Sequence, residues 1–239
     1  MFNRLKLSMY EPFSVRSFRF QWPADLMASW AFEMETIILG WYVLTITDSV
    51  LVLTIFASMQ WLGTLIAPYL GVLGDRWGRR TMLCLLRASY LTTSIITMSL
   101  ALTDTLNASI ILGISFVIGL VRPSDLVMRN GLIGDTMLGN VLMKAMGVSR
   151  TTMDSARIAG ALVGAGLFSS LGIGYAYVAV TIFYAISLLL TFGVSSVKTI
   201  TCRQNDTINR APLMDLKDGL RYVWRTPTLL AAMWFAFLV

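Results

Sequence analysis

The feature that most constrains this sequence is a series of six apolar segments, each long enough to cross a lipid bilayer as a helix. A membrane-spanning helix needs about 20 mostly apolar residues, and a helix satisfies its own backbone hydrogen bonds within hydrocarbon. The sequence therefore predicts an all-α, polytopic membrane protein whose six spans form one bundle. The segments cover residues 24–46, 50–70, 81–102, 108–128, 148–170 and 173–197.

The predicted bundle, residues 1–197, is followed by two further parts. Residues 198–227 are predicted to form a cytoplasmic linker, in which Pro212 opens an amphipathic helix that lies in the membrane interface. Residues 228–239 resemble the start of a seventh span but are too short to cross a bilayer. Two interpretations stay open at this point, a fragment or a half-size protein.

Composition supports a membrane protein and excludes several kinds of site. Of 239 residues, 56% are hydrophobic and 13% are charged, whereas about 25% are charged in a typical soluble domain. The chain has no histidine, which excludes His-based catalysis and His-ligated metals. Cys84 and Cys202 fit no zinc or disulfide pattern, and no lysine follows a glycine as in a Walker A loop. We therefore predict no enzyme activity, no cofactor, no metal and no nucleic-acid partner.

Positive charges lie on one side of the predicted membrane. Residues 47–49, 103–107 and 169–172, which follow the first, third and fifth spans, contain no lysine or arginine. The N-terminus and the other loops hold most of the 19 basic residues. Because cytoplasmic loops are enriched in Lys and Arg, the N-terminus is predicted to be cytoplasmic. The predicted location is the inner (plasma) membrane, with the lipid bilayer as a partner.

The loop after the second span combines glycines, an acid and three arginines. Its glycines permit a tight turn at the membrane surface. This loop resembles the signature of the major facilitator superfamily, G-x-L-x-D-R-x-G-R-R/K, at every defined position. The residues at the defined positions are Gly71, Leu73, Asp75, Arg76, Gly78, Arg79 and Arg80, and Gly74 lies directly before the acid.

The resemblance to the major facilitator superfamily implies a secondary active transporter that works by alternating access. It implies that the charged residues of the signature loop lock one state through cytoplasmic charge contacts, and that Asp125 of the fourth span joins them. Residues 42–45 and 219–223 are similar to the bacterial branch that includes enterobactin and macrolide exporters. That likeness implies efflux of a small organic substrate, with protons as a possible coupling ion.

The fifth span departs from the pattern of antiporters in this superfamily, which often carry a Gly-Pro pair there. Alanine stands where the proline would be. The sequence therefore does not decide whether the protein works as an antiporter. The spacing of Gly160 and Gly164 remains, and it favours close helix packing. Asp154 and Arg157 lie three residues apart and are predicted to pair on one helix face. Alternatively, Arg157 extends its side chain to the membrane surface.

Three acidic residues fall within the first span, where ionisable groups are costly and often functional. Asp25 lies near the cytoplasmic end and is expected to reach the headgroups. Helical periodicity places Glu33 and Glu35 on opposite faces. Glu33 is predicted to be the working acid on a polar face, and Glu35 a structural acid in an apolar packing seam. The alternative for Glu33 is a buried, satisfied acid. The polar face also carries Asp25, Ser29, Thr36 and Gly40.

Two functions compete at this stage. The first is an exporter. Its further candidates for cavity or coupling residues are Arg122, which lies at the cytoplasmic end of the fourth span, Asp154 and Arg157. The second is a non-transporting half-domain that acts as a membrane scaffold. In either case the missing C-terminal half or a second copy is an expected partner.

Overall fold

A computed structural model describes residues 11–137 and 139–194, without the side chains of Pro68 and Asp75. Every regular element in these ranges is helical. Short 3-10 turns cover Glu11–Ser14 and Leu62–Leu65. The predicted linker and seventh span lie outside the described residues. The α-helices are α1 (Arg16–Thr47), α2 (Val50–Met59), α3 (Ala67–Trp77), α4 (Arg79–Leu102), α5 (Ala108–Thr136) and α6 (Asn140–Phe192).

Three stretches within the described residues are long and apolar enough to cross a membrane. They are Arg79–Leu102, Ala108–Thr136 and Gly139–Phe192. Together with the all-helical architecture they agree with a polytopic membrane protein. The six-span count stays a prediction.

The helix α6 reverses direction at Gly172. Its 53 residues would extend about 80 Å as one straight helix. Gly172 has φ 77° and ψ 176°, a conformation that glycine adopts readily and that residues with a side chain avoid. The predicted fifth and sixth spans fall on the two sides of this glycine.

Contacts with α1 establish the reversal. In the arm of α6 before Gly172, successive residues contact successive residues of α1 in the same order, so this arm is parallel to α1. After Gly172 the order is opposite, so the second arm is antiparallel. The contacts pair Thr152 with Trp22, Gly164 with Met34, Tyr177 with Glu35 and Ser187 with Ala24.

The second predicted span is interrupted in the structure. The helix α2 ends at Met59, a 3-10 turn follows, and α3 begins at Ala67. Pro68 in the first turn of α3 has no backbone N–H to donate, which favours a helix start there. The interrupted segment packs its backbone directly on that of α5, because Gly63 and Gly119 have no side chains to hold the two segments apart.

The helix α1 is the centre of the bundle. Met34, Ile38 and Val43 are fully buried, and they share one apolar cluster with side chains of α4, α5 and α6 such as Tyr90 and Val180. Because α1 is enclosed on several sides, its acidic side chains must find partners on neighbouring helices.

Gly119 gives a direct test of this packing. A Cβ atom there would lie 2.0 Å from the carbonyl oxygen of Met59. We expect Gly119→Ala to lower the free energy of unfolding by about 3 kcal/mol, the upper part of the range for overpacking. Gly113 on the same helix is the matched control, because its Cβ would meet nothing within 4 Å. Gly113→Ala should be neutral or stabilise by about 0.5–1 kcal/mol. Equal melting temperatures for the two variants in detergent would contradict the packing.

Candidate functional site

Two arginines and two aspartates form a buried cluster where α1, α4 and α5 meet. Asp25, Arg87, Asp125 and Arg129 are each at most 5% exposed. Arg129 Nη2 lies 2.7 Å from Asp125 Oδ2, and Arg129 Nε lies 3.4 Å from Asp25 Oδ1. Arg87 contacts Asp25 directly, and its Nε lies 3.8 Å from Asp125 Oδ1. The formal charges sum to zero, as burial of ions requires.

Hydrogen bonds to neighbouring helices hold this cluster in place. Arg129 Nη1 donates to Ser29 Oγ at 3.1 Å, and Arg87 donates to the hydroxyl of Thr191. The expectation that Asp25 reaches the lipid headgroups is therefore wrong. Arg87 and Arg129 provide counter-charges inside the bundle, and the Asp25 carboxylate is enclosed between them.

The arginines of the signature loop contact the ends of α5 and α6. Arg79 Nη1 donates to the carbonyl of Gly131 at 2.7 Å and lies 3.0 Å from Asp135 Oδ1. Arg80 Nη2 donates to the carbonyl of Phe192 at 2.7 Å. Gly78 has φ 92° and supplies the turn between α3 and α4, as the glycine pattern predicts.

The expected grouping of Asp125 with Arg76 and Arg79 needs correction. The Asp125 carboxylate pairs with Arg87 and Arg129 in the buried cluster. Arg129, four residues further along the same helix, is enclosed in the bundle as well. Arg79 instead pairs with Asp135, which lies about 2.8 turns beyond Asp125 on the same helix.

A second charged group lies at the middle of α1. Arg122 Nη2 and Arg157 Nε lie 3.8 Å and 3.9 Å from Glu33 Oε1, which is longer than a hydrogen bond. Arg122 Nη1 also donates to Gln60 Oε1 at 3.3 Å. We call Glu33, Arg122, Arg157 and Gln60 the midpoint cluster. Its arginine on α5 lies deeper than the predicted cytoplasmic end of the fourth span.

Aromatic rings and open space border the midpoint cluster. The Arg122 guanidinium carbon lies 3.2 Å from the ring centroid of Phe32 and 5.7 Å from that of Trp61. Trp61 is 64% exposed, and the Arg157 side chain is 65% exposed. The cluster therefore presents cationic and aromatic groups together at one accessible surface.

Glu35 lies on the opposite face of α1 and is buried. Tyr177 donates to its Oε1 at 2.9 Å, and Tyr184 donates to its Oε2 at 2.7 Å. A small cavity beside Glu35, with room for about one water molecule, is also lined by Gln60 and Ser115. This placement agrees with the expected acid held against a neighbouring helix.

The fifth predicted span makes different ion pairs from those expected. Asp154 Oδ2 lies 3.3 Å from Arg150 Nε, four residues away, whereas Arg157 faces Glu33. The arm of α6 that carries them is parallel to α1, which brings Arg157 to the level of Glu33. Gly160 and Gly164 pack against α1: a Cβ at Gly164 would lie 2.8 Å from the Cα of Met34.

Comparison with known proteins gives one result that decides the family. A family model described as transmembrane secretion effector matches residues 7–239. The chain belongs to this family. The match supports a transporter of the major facilitator superfamily, whose members are generally not enzymes. Comparison with curated proteins and with solved structures finds no match.

Several residues in the clusters of this secretion-effector chain escaped the sequence interpretation. The sequence assigned no role to Arg87 or Arg129, although both lie within helices and beside buried acids. Asp135 fell in a predicted loop because α5 extends eight residues beyond the apolar segment, to Thr136. Gln60 and the tyrosines of α6 carry no sequence signal of their own. Charge balance was the available signal for the two arginines, since buried acids need buried cations.

Proposed function

We propose that this protein is a secondary active transporter that exports small organic molecules by alternating access. The observation that carries the proposal is the midpoint cluster, in which Glu33, Arg122 and Arg157 meet halfway along the central helix α1. Membership of the secretion effector family supports export as the general activity.

The cost of charge in a membrane explains why the midpoint cluster indicates a pathway. Arg157 is 65% exposed on a helix apolar enough to span a membrane. An arginine facing lipid at that depth is strongly unfavourable, and intramembrane charges generally face a water-filled cavity or another helix. The exposed surface around Arg157 and Trp61 is therefore proposed as one wall of the transport cavity, near the midplane where transporters bind their substrates.

The other two charge groups suit parts of a moving transporter. The buried cluster ties α1, α4 and α5 together, so these helices are proposed to move as one rigid unit. The signature loop ties α4 to the ends of α5 and α6 through Arg79 and Arg80. These contacts are proposed to break and re-form at the cytoplasmic surface as the protein changes state. The roles of Asp75 and Arg76 in that lock are proposed from the family resemblance.

The orientation proposed for the protein follows the one-sided distribution of Lys and Arg. The N-terminus is placed in the cytoplasm, six spans cross the inner membrane, and the segments near residues 48 and 104 lie outside. Both segments contain a residue with positive φ, Asp48 and Asp104, at the turn that follows a helix. The closer likeness to enterobactin and macrolide exporters remains part of this proposal.

Export is tested by compound accumulation in cells that produce the complete protein. We expect lower intracellular levels of at least one compound from a panel of fluorescent organic anions, cations and neutral dyes. A protonophore should restore the level if a proton gradient drives export. In cells that produce the Arg122→Gln variant at equal membrane abundance, each compound should accumulate to the level found in cells without the protein. Unchanged accumulation of every compound would contradict an exporter and favour a scaffold.

A further inference from the structure

We infer that the midpoint cluster is the binding site for an organic anion with an aromatic ring, and that Glu33 occupies the place of the substrate's anionic group between transport cycles. This inference rests on the proposed transport function. It names the chemical class of the substrate, which neither the family nor the resemblance assigns.

The midpoint cluster carries a net positive charge. Arg122 and Arg157 contribute two positive charges, and Glu33 contributes one negative charge, so the midpoint cluster has a net charge of +1. The nearest exposed acid on the same arm of α6, Asp154, is paired with Arg150. Glu35 is enclosed on the opposite face of α1 by two tyrosines. An anion is therefore the ligand whose charge the accessible surface complements.

The two ion pairs of Glu33 are long. Both arginines approach the same carboxylate oxygen, Oε1, at 3.8 Å and 3.9 Å. At these distances the guanidinium groups attract the carboxylate without a hydrogen bond. Within residues 11–137 and 139–194, Arg157 donates no hydrogen bond, so its planar fork is available to a carboxylate, sulfonate or phosphate. An incoming anion can thus displace Glu33 without breaking a strong bond.

An aromatic surface lies next to Arg122. Phe32 lies under the Arg122 guanidinium, which keeps that group flat against the wall of the cluster. The ring of Trp61 is 64% exposed and lies 5.7 Å from the same guanidinium carbon. A planar ring attached to the anionic group can stack on Trp61, and aromatic pairs of this kind add stabilisation beyond the burial of area.

Glu33 also takes part in substrate release. While the substrate is bound, the Glu33 carboxylate is displaced from both arginines and stands free. When the cavity opens to the other side, return of Glu33 to Arg122 and Arg157 competes with the substrate anion. Removal of the Glu33 charge should therefore tighten binding and at the same time impair release.

The test measures binding of three probes that share one ring to the complete purified protein by titration calorimetry. The probes are 1-naphthoate, the neutral 1-naphthamide and the cationic 1-naphthylmethylammonium. We expect 1-naphthoate to bind about tenfold or more tightly than the amide, since a charge-assisted hydrogen bond contributes this much, and the cation to bind least. Arg157→Gln should weaken naphthoate binding about tenfold. Trp61→Ala should weaken the binding of all three probes.

Two variants separate this inference from a general effect of charge. Arg150→Gln removes a cation from the same arm of α6 that is already paired with Asp154, and it should leave naphthoate binding unchanged. Glu33→Gln should tighten naphthoate binding. Preference for the cationic probe, weaker naphthoate binding in Glu33→Gln, or no naphthoate binding at millimolar concentration would overturn the inference. If naphthoate binds as expected but no compound is exported, the proposed function fails and the assigned binding site stands.

Discussion

Replacement of Arg87 by methionine should leave most molecules of the protein unable to fold stably in the membrane. Arg87 is 1% exposed and contacts Asp25, Asp125 and Thr191 on three different helices. Its removal leaves two buried carboxylates with one arginine between them. Removal of one partner from a buried ion pair typically lowers the free energy of unfolding by about 3–5 kcal/mol, which is a large fraction of the stability of a typical domain. The measurement is the amount of folded, monodisperse protein after mild detergent extraction, together with its melting temperature.

Arg150→Met is the matched control for Arg87→Met. Arg150 also pairs with an aspartate, but the two side chains are 70% and 52% exposed. Such exposed pairs contribute about 0–1 kcal/mol, so the control should fold normally. The double variant Asp25→Asn with Arg87→Met should recover part of the loss, because it leaves a single aspartate for Arg129. Normal yield and melting temperature for Arg87→Met would contradict the buried cluster.

Glu33→Gln should abolish most transport while leaving the fold intact. Its side chain is 18% exposed, and its ion pairs among the described residues are two long ones without a hydrogen bond, so we expect a contribution to stability of about 1 kcal/mol. Its contribution to transport is larger, because no other acid in the midpoint cluster can take the arginines back from a bound substrate. We expect substrate flux in proteoliposomes to fall about tenfold or more, which corresponds to about 1.4 kcal/mol.

Two control variants accompany Glu33→Gln in the flux assay. Asp154→Asn removes an exposed acid from the parallel arm of α6 and should transport normally. Glu35→Gln removes the acid that Tyr177 and Tyr184 hold, and it should change the melting temperature more than the flux. Normal flux in Glu33→Gln combined with loss of flux in Glu35→Gln would mean that the two faces of α1 have exchanged roles.

The sequence predicted the helical class because hydrocarbon solvent imposes a simple length rule. Apolar length and turn residues placed the ends of α4 at the loops where the structure has them. The interruption between α2 and α3 was not predicted, since it depends on the close approach of Gly63 to Gly119 across 56 positions of sequence. The extension of α5 to Thr136 was missed because polar residues can continue a helix beyond the membrane.

For the charged groups, the sequence predicted faces but not partners. Periodicity separated Glu33 from Glu35 correctly in direction, because the angle between helical positions is fixed by backbone geometry. The expectation for Asp25 came from its position near the end of the span, and it was wrong because the positions of Arg87 and Arg129 depend on how α4 and α5 pack against α1. Spacing along the helix likewise did not predict the contact of Arg157 with Glu33, which requires the parallel arrangement of α1 and the first arm of α6.

Alternating access exposes the midpoint cluster to each side of the membrane in turn, and sided labelling of one cysteine tests this most directly. Cys84 and Cys202 are first replaced by serine, and Trp61→Cys is then treated with an impermeant maleimide in right-side-out and inverted vesicles of the complete protein. Two exposed positions, Thr105→Cys and Trp77→Cys, report the outside and the cytoplasmic side respectively; Thr105 is chosen over Asp104 because Asp104 has positive φ. We expect each reporter to be labelled from its own side alone and Trp61→Cys to be labelled from both sides. Labelling of Trp61→Cys from one side only, or from neither, would contradict alternating access at this site.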